Sequence, residues 1–347
     1  MNILVLSREF PPYVLGGISY HLKNLYNEIT EHGHNVTILA GKCSQSYNDF
    51  DGNISNEITV NPVHFGFREG YYILYPLALR GKLKSIDTSE FDIAVAHTPL
   101  PFEIPELSLV TKYHDCVAET RKFMRTQLSL PEKIGDTFLH PLRKMIDQRS
   151  LQITDYAIFN SQVNKEGWTS NYKFDGSYSV IHNGVDTELF APIDAAQEEY
   201  VVFVGTTEQK GLSAVVEYAN TNRRPVHIVG SIQLDHPNIV CHGRVSQMKL
   251  RDIYAKATAT IHPARFESFG NVVLESLACG TPVVTTPQCG ASGVLTNETG
   301  VVTTELAGGI EKATDFKPSM CREVAKEHEW NQIAERTERI LETVTAA

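Results

Sequence analysis

Two glutamates, Glu267 and Glu275, stand in the segment His262-Pro263-Ala264-Arg265-Phe266-Glu267-Ser268-Phe269-Gly270-Asn271, which runs on to Glu275 and then Cys279-Gly280-Thr281-Pro282. On one unbroken helix a spacing of eight would set them about 80° apart, on one face. Pro263 and Gly270 argue against that helix. They put Glu267 in a loop and Glu275 about a turn and a half inside a helix opening after Gly270. One carboxylate then stands at a loop–helix junction beside the free amides of Gly270 and Asn271, and the second lies deeper. The spacing alone proves little, because Glu327 and Glu335 repeat it in a C-terminal stretch that reads as a solvated face. Upstream, the apolar run Val201–Val204 leads into Gly205-Thr206-Thr207-Glu208-Gln209-Lys210-Gly211 and another helix. Lys210 is placed there to meet a phosphate as a point charge, or to be an ordinary solvated lysine. Near the N-terminus Gly16-Gly17 follows Phe10-Pro11-Pro12 and opens a helix. Such a junction lets backbone amides approach an anion, or simply makes a small-residue turn.

The elements that must position these residues alternate along the whole chain. Asn2–Leu6 reads as a strand, a helix runs through His32, and Val36–Leu39 is the next strand. Ile93–Ala96, Ala157–Phe159 and Ser179–Ile181 follow, with a helix predicted over Glu132–Gln152. The pattern restarts with strands at Tyr200–Val204, Val226–Val229, Ala259–Ile261 and Pro282–Thr285. Helices are expected between them at Gly211–Asn220, Gln247–Lys256 and Gly270–Ala278. This is the signature of βαβ units and parallel sheets. The reading is an α/β chain of two Rossmann-like, doubly wound parallel-sheet domains facing an interdomain cleft. The expected domains are 1–187, a linker at 188–199, a second domain at 200–325, and a C-terminal helical segment at 326–347 that packs back across them. Ligands of such sheets bind outside the strand C-termini.

Composition narrows the partners. At 347 residues, 42% hydrophobic and 21% charged, the chain is neither disordered nor a coiled-coil rod. A net charge of −10 argues against non-specific nucleic-acid binding. The longest mostly apolar run, Tyr71–Leu79, is nine residues and holds Pro76, whereas a membrane-spanning helix needs about 20. Ile3–Leu6 is too short for a signal-peptide core, so a cytosolic protein is expected. Cysteines 43, 116, 241, 279, 289 and 321 show no C-x-x-C and read as reduced thiols. Asp49-Phe50-Asp51 has the D-x-D form of some metal sites but sits in an Asn-, Asp- and Gly-rich stretch where Asx turns explain it. No metal site and no cofactor beyond the substrate is assigned.

Together the motifs resemble the family-4 glycosyltransferases, a retaining group with the GT-B fold. Phe10-Pro11-Pro12 with Gly16-Gly17 is similar to the family's opening loop, and Gly33-His34-x-Val36 to the turn after it. His114-Asp115 resembles the histidine motif, Asn183-Gly184-Val185-Asp186 with Phe190 the junction motif, and Lys210-Gly211 the phosphate loop. Glu267-x7-Glu275 with Phe269-Gly270, then Gly280-Thr281-Pro282, resembles the most diagnostic segment. The resemblance implies transfer of a hexose-type sugar from a nucleoside-diphosphate sugar to a hydroxyl acceptor in glycan, polysaccharide or glycolipid assembly. It implies catalytic roles for His114 and Glu267. Glu267 would hold hydroxyls of the sugar and Glu275 those of the ribose. Gly16, Gly17, Lys210, Phe269, Gly270 and Asn271 would surround the donor, with Arg244 and Val245 near its base. The family's usual arginine is missing: Thr206 follows Gly205 where a guanidinium would meet the phosphates, and Arg244 or Arg265 would have to replace it.

Other classes remain as rivals. A glycosidase would use two carboxylates but has no need of Lys210 or the glycine loops. A GT-B epimerase or phosphorylase, or a non-catalytic sugar-nucleotide-binding protein, fits the same motifs. The acceptor is less specified. Residues 119–149 carry seven Lys/Arg against four acids, interspersed with Phe123, Met124, Phe138, Leu142 and Met145. They read either as ordinary surface helices or as a patch for a lipid-linked acceptor at the inner face of an anionic membrane.

Overall fold

Near-continuous apolar strands bury both of their faces only when helices cover both sides of a parallel sheet. The computed structural model, which describes residues 1–15, 17–46, 53–125, 128–222 and 224–346, contains two such sheets. The first is built from β1 (Asn2–Ser7), β2 (Asn35–Lys42), β3 (Ile58–His64), β4 (Ile93–Ala96), β5 (Leu109–Tyr113), β6 (Tyr156–Phe159) and β7 (Tyr178–Val180). Its order is β3-β2-β1-β4-β5-β6-β7, parallel throughout. The second holds β8 (Val201–Val204), β9 (Val226–Val229), β10 (Ile239–Cys241), β11 (Ala259–His262), β12 (Val283–Thr285) and β13 (Gly300–Val302). Its order is β10-β9-β8-β11-β12-β13, again parallel.

In both sheets the strand order reverses beside the first strand, between β1 and β4 and between β8 and β11. Connections leave in opposite directions at those points and open a crevice at the strand C-termini. The loops after β1, β4 and β5 carry Arg8, His97 and His114; those after β8 and β11 carry Lys210 and Glu267. The chemistry-bearing residues thus hang from the two switch points.

Helices fix the faces. In the N-terminal domain α1 (Gly17–Glu31) lays Leu22, Leu25 and Ile29 against Ile3 and Val5. α2 (Tyr71–Leu83) covers the opposite face through Tyr75 and Leu79 against Leu4 and Leu6. α3 (Val117–Met124), α4 (Leu130–Ile153) and α5 (Gln162–Asn171) follow. α4 starts in a capping box of Ser129 and Glu132, a residue pair that satisfies two amides the helix leaves open. The C-terminal domain adds α6 (Leu212–Thr221), α7 (Gln247–Lys256), α8 (Asn271–Ala278), α9 (Leu306–Ala313) and α10 (Pro318–Lys326).

The chain then returns. α11 (Trp330–Thr345) packs Trp330, Ile333 and Leu341 into the N-terminal core beside α1. Where it crosses, the Val185 amide donates to the His328 carbonyl at 2.9 Å. Arg322 gathers the carbonyls of Phe190, Ala278 and Thr187 at 2.8, 2.9 and 2.7 Å. The two crossings therefore run side by side. All six cysteines are free thiols.

Gly211 locks the loops after β8 and β11 together. Its φ is +90°, and a Cβ there would lie 2.1 Å from the Pro263 carbonyl oxygen. Gly33 has φ +86° with nothing within 4 Å. The left-handed conformation alone costs a residue with a Cβ about 1–2 kcal/mol. Gly33→Ala should lose about that much in denaturant unfolding, and Gly211→Ala clearly more, because a backbone atom must move. Equal losses would mean that the contact between the loops is slack.

Candidate active site

β11 ends in His262, and the turn to α8 carries the first carboxylate. Pro263 removes a donor, and Gly270, at φ +96°, opens α8 without a side-chain cap. The loop is pinned by its backbone: Arg265 N donates to Gln209 O at 2.8 Å, Gly290 N to Glu267 O at 2.8 Å, and Ala291 N to Phe269 O at 2.7 Å. Glu267 is left in the loop with its side chain 18% exposed, 3.6 Å from both Lys210 Nζ and His262 Nε2. Burial alone would raise its pKa, yet Lys210 and His262 hold the carboxylate down at about 2. Glu267 Oε2 and both ring nitrogens of His262 are buried without a hydrogen-bond partner. Buried polar atoms of this kind are normally satisfied, so the trio has hydrogen-bonding capacity to spare. A Cβ on Gly270 would stand 3.3 Å from Glu267 Cγ and 3.6 Å from His262 Nε2. Glycine therefore keeps the trio open.

Glu275 lies inside α8. Tyr254 donates its hydroxyl to Oε2 at 3.1 Å, and burial raises the carboxyl's pKa, with Tyr254 and Lys210 opposing. It lines a cavity of about 310 Å³ between the domains, together with Gly17, His21, Gln247, Asn271 and Trp330. The first turns of α1 and α8 thus face one space from opposite domains. Their free amides and dipoles make that space favourable for an anion. Asn183 Nδ2 donates to Asn271 Oδ1 at 2.9 Å across the same junction.

His114 comes from the other wall, just after β5. Its Nε2 lies 2.8 Å from His97 Nδ1, and His97 Nε2 lies 2.6 Å from the Tyr26 hydroxyl. His21 packs edge-on against His114, ring centres 4.9 Å apart. Burial holds all three imidazoles well below their usual pKa, so they are neutral. Asp115 ties the walls together by accepting from Ser268 Oγ at 2.8 Å, while Ser161 donates to the Ser268 carbonyl.

The structure thus gathers Gly17, Asn271 and Glu275 on one cavity, and Lys210, Glu267 and Gly270 in the adjoining loops. Arg244 is exposed and donates to Ser231 Oγ at 2.9 Å; Val245 is half-buried in the loop leading to Gln247. Phe269 is buried in the C-terminal core beneath the start of α8. Arg265 is exposed, with its guanidinium 3.6 Å from Glu208 in the loop after β8. Gly16 and Asp49-Phe50-Asp51 lie outside the described residues. Among the described residues no cluster of His, Cys, Asp or Glu is arranged to hold a metal ion. Sequence reasoning missed His262, His97, His21 and Tyr254. Only His262 had a signal, its place at the end of the strand that feeds Glu267.

Solved structures share this architecture. Sucrose-phosphate synthase from Thermosynechococcus elongatus matches with a TM-score of 0.76 at 18% identity, covering 100% of both chains. Anabaena HepE, solved in complex with UDP-glucose, matches with a TM-score of 0.68 at 18% identity, over 99% of this chain and 100% of that one. Two doubly wound domains closing on one cleft are the GT-B fold. Alpha-maltose-1-phosphate synthase of Mycolicibacterium smegmatis is 22% identical over the full length of both chains. The model described as Glycosyltransferase Family 4 matches residues 15–189, just over half of the chain, and Glycosyl transferases group 1 matches residues 198–315. The chain belongs to glycosyltransferase family 4, and it is a glycosyltransferase.

The ion pair makes a pH prediction. Glu267 stays ionised in the fold down to about 2, whereas an unperturbed glutamate takes its proton near 4.5. A depressed carboxyl pKa stabilises the fold fully above the unfolded value and loses that contribution as pH falls through the folded one. Denaturant midpoints of wild type and Glu267→Gln should therefore differ at about pH 6 and converge toward about pH 3. A gap that stayed constant over this range would mean that the carboxylate is not held by Lys210 and His262.

Proposed function

We propose that the enzyme moves a hexose-type sugar from a nucleoside-diphosphate sugar to a hydroxyl acceptor with retention of anomeric configuration. The carrying observation is the interdomain cavity, where the first turns of α1 and α8 and Glu275 converge beside the Lys210–Glu267 pair. Paired ribose hydroxyls suit the Glu275 carboxylate, whose second oxygen is not taken by Tyr254. The leaving diphosphate develops charge that helix amides and Lys210 stabilise, an electrostatic role of the oxyanion-hole kind. Glu267, held ionised, accepts hydrogen bonds from the sugar rather than attacking it. Attack from the front face lets the departing phosphate take the acceptor's proton. The UDP-glucose complex of HepE supports a nucleotide-sugar donor.

Calorimetry should show a nucleoside diphosphate binding without added metal. Glu275→Ala should weaken it about 10–100-fold, the worth of hydrogen bonds to a charged group, while Glu327→Ala leaves it unchanged. Lys210→Ala should lose about 10²–10³ in kcat/KM with the fold intact. No binding of UDP, GDP or ADP at about millimolar concentration, well above the micromolar range of typical substrates, would sink the reading.

For the acceptor we infer a lipid-linked substrate reached at an anionic membrane surface. Leu130, Ile134, Phe138 and Met145 form one exposed stripe along α4, Phe138 at 79% and Leu130 at 73%. Their spacing of four, four and seven residues keeps them on one side of the helix, with Lys133 and Lys144 along one edge. Several of the patch's other cations are engaged: Arg121 and Arg143 with Asp136, Lys122 with Glu119, and Arg149 with Glu103. Among the described residues no helix is long and apolar enough to cross a membrane. A lysine-edged apolar stripe suits the interface instead. Vesicle co-sedimentation should rise with anionic lipid, fall with salt and drop in Phe138→Ser. Indifference to all three would leave α4 an ordinary surface helix.

A further inference from the structure

Lys112 lies in β5, two residues before His114, which follows the strand directly, and both line one cavity. Lys112 is 1% exposed, and its Nζ is buried with no hydrogen-bond partner. It lines a small cavity of about 50 Å³ with Arg8, Tyr71, Tyr72, His97 and His114. The Arg8 guanidinium is stacked 4.0 Å above the Tyr71 ring, with its Nε 3.5 Å from Glu9.

The anionic groups nearby are already committed. Asp115 accepts from Cys116 N, Thr120 Oγ1 and Ser268 Oγ. Asp147 behind the cavity accepts from Tyr72 and, at 2.5 Å, from Tyr172. The histidines are neutral and bring no compensating charge. Burial brings the Lys112 ammonium down to about 7, so it carries charge when an anion is present to hold it. A buried cation without a partner costs stability in the empty protein, and a ligand that supplies the missing charge removes that cost.

We propose that this cavity is an acceptor subsite that takes a compact anionic group, a phosphate monoester or a carboxylate, between Lys112 and Arg8. The proposal rests on the glycosyl-transfer reading, in which the acceptor approaches His114 from the N-terminal domain. The volume fits the choice. At about 50 Å³ it is several times the roughly 10–15 Å³ that admits one water, enough for a small charged head. Arg8 offers planar donors and Lys112 a point charge, a pairing suited to oxyanions. The acceptor's ring would then remain in the cleft beside His114, its reacting hydroxyl toward Glu267.

The test is calorimetric titration with inorganic phosphate, glucose 6-phosphate, glucuronate and glucose, with and without UDP. Wild type should bind glucose 6-phosphate or glucuronate at least about tenfold tighter than glucose, a step of one pairwise charged contact. The tighter of the two identifies the anion. Lys112→Met and Arg8→Gln should each remove that preference and leave UDP affinity unchanged. Glu275→Ala should do the reverse, so failure of the donor reading and failure of the subsite are told apart. Lys112→Met should melt no lower than wild type, because it replaces an unpaired buried charge with an apolar chain of similar size. Sedimentation of Lys112→Met with phosphatidate vesicles separates the sources: reduced binding assigns the phosphate to a lipid, unchanged binding to a soluble acceptor. Equal affinity of wild type for charged and neutral sugars, or undiminished anion binding in Lys112→Met, would overturn the proposal.

Discussion

A parallel sheet covered on both faces leaves only the ends of its strands open to ligands, and everything functional in this molecule follows from that constraint. Each domain's strands point their C-termini at the other domain, so the loops after β1 and β5 meet those after β8 and β11. Contacts across the cleft include Ser268 to Asp115, Ser161 to the Ser268 carbonyl, Asn183 to Asn271, and Phe266 packed beside Trp168, with the paired crossings at Val185 and His328 alongside. The return of α11 onto α1 matters for the same reason. It ties the end of the C-terminal domain to the N-terminal core without filling the space between the walls.

The two carboxylates of the C-terminal wall have been given different electrostatic lives by their surroundings. Glu267 sits where a lysine and a histidine outweigh burial, and Glu275 where burial outweighs a tyrosine and a more distant lysine. One is locked as an acceptor of hydrogen bonds. The other lies in a space bounded by helix amides, where an ordered sugar hydroxyl would settle its charge. The split resembles an acid and a nucleophile of glycoside hydrolysis. Lys210 lies against Glu267, however, and a nucleophile held down to about 2 by an ion pair is a poor one.

Much of this wall was legible in the sequence because its punctuation is local. Pro263 and Gly270 bracket a loop, so Glu267 falls outside the helix and Glu275 inside it, as the structure has them. The alternating strands and helices read for the same reason, and so does α4, which runs from 130 to 153 where a helix over 132–152 was expected. Of the N-terminal wall only the motif residues Gly17 and His114 were legible; their neighbours were not, because the wall is assembled at long range. Tyr26 meets His97 across 71 positions, and His32 meets Glu338 across 306. Lys112 sits in Leu-Val-Thr-Lys-Tyr, which reads as a strand with one charged residue. Nothing local says that both faces of β5 are covered.

The buried histidines also have an order that fixes what His114 can do. Tyr26 is buried, and burial raises its pKa well above the usual range, so it keeps its proton. Its hydroxyl lies 2.6 Å from His97 Nε2, and His97 Nδ1 lies 2.8 Å from His114 Nε2, so the phenol and the two rings form one chain of hydrogen bonds. In either direction of that chain the Nε2 of His114 is engaged and only its Nδ1 is left for a partner outside. With Tyr26 donating, Nδ1 carries the hydrogen and His114 is a donor; with the chain reversed, Nδ1 is bare and His114 is an acceptor. The role open to His114 is thus set by the direction in which the Tyr26 hydroxyl points.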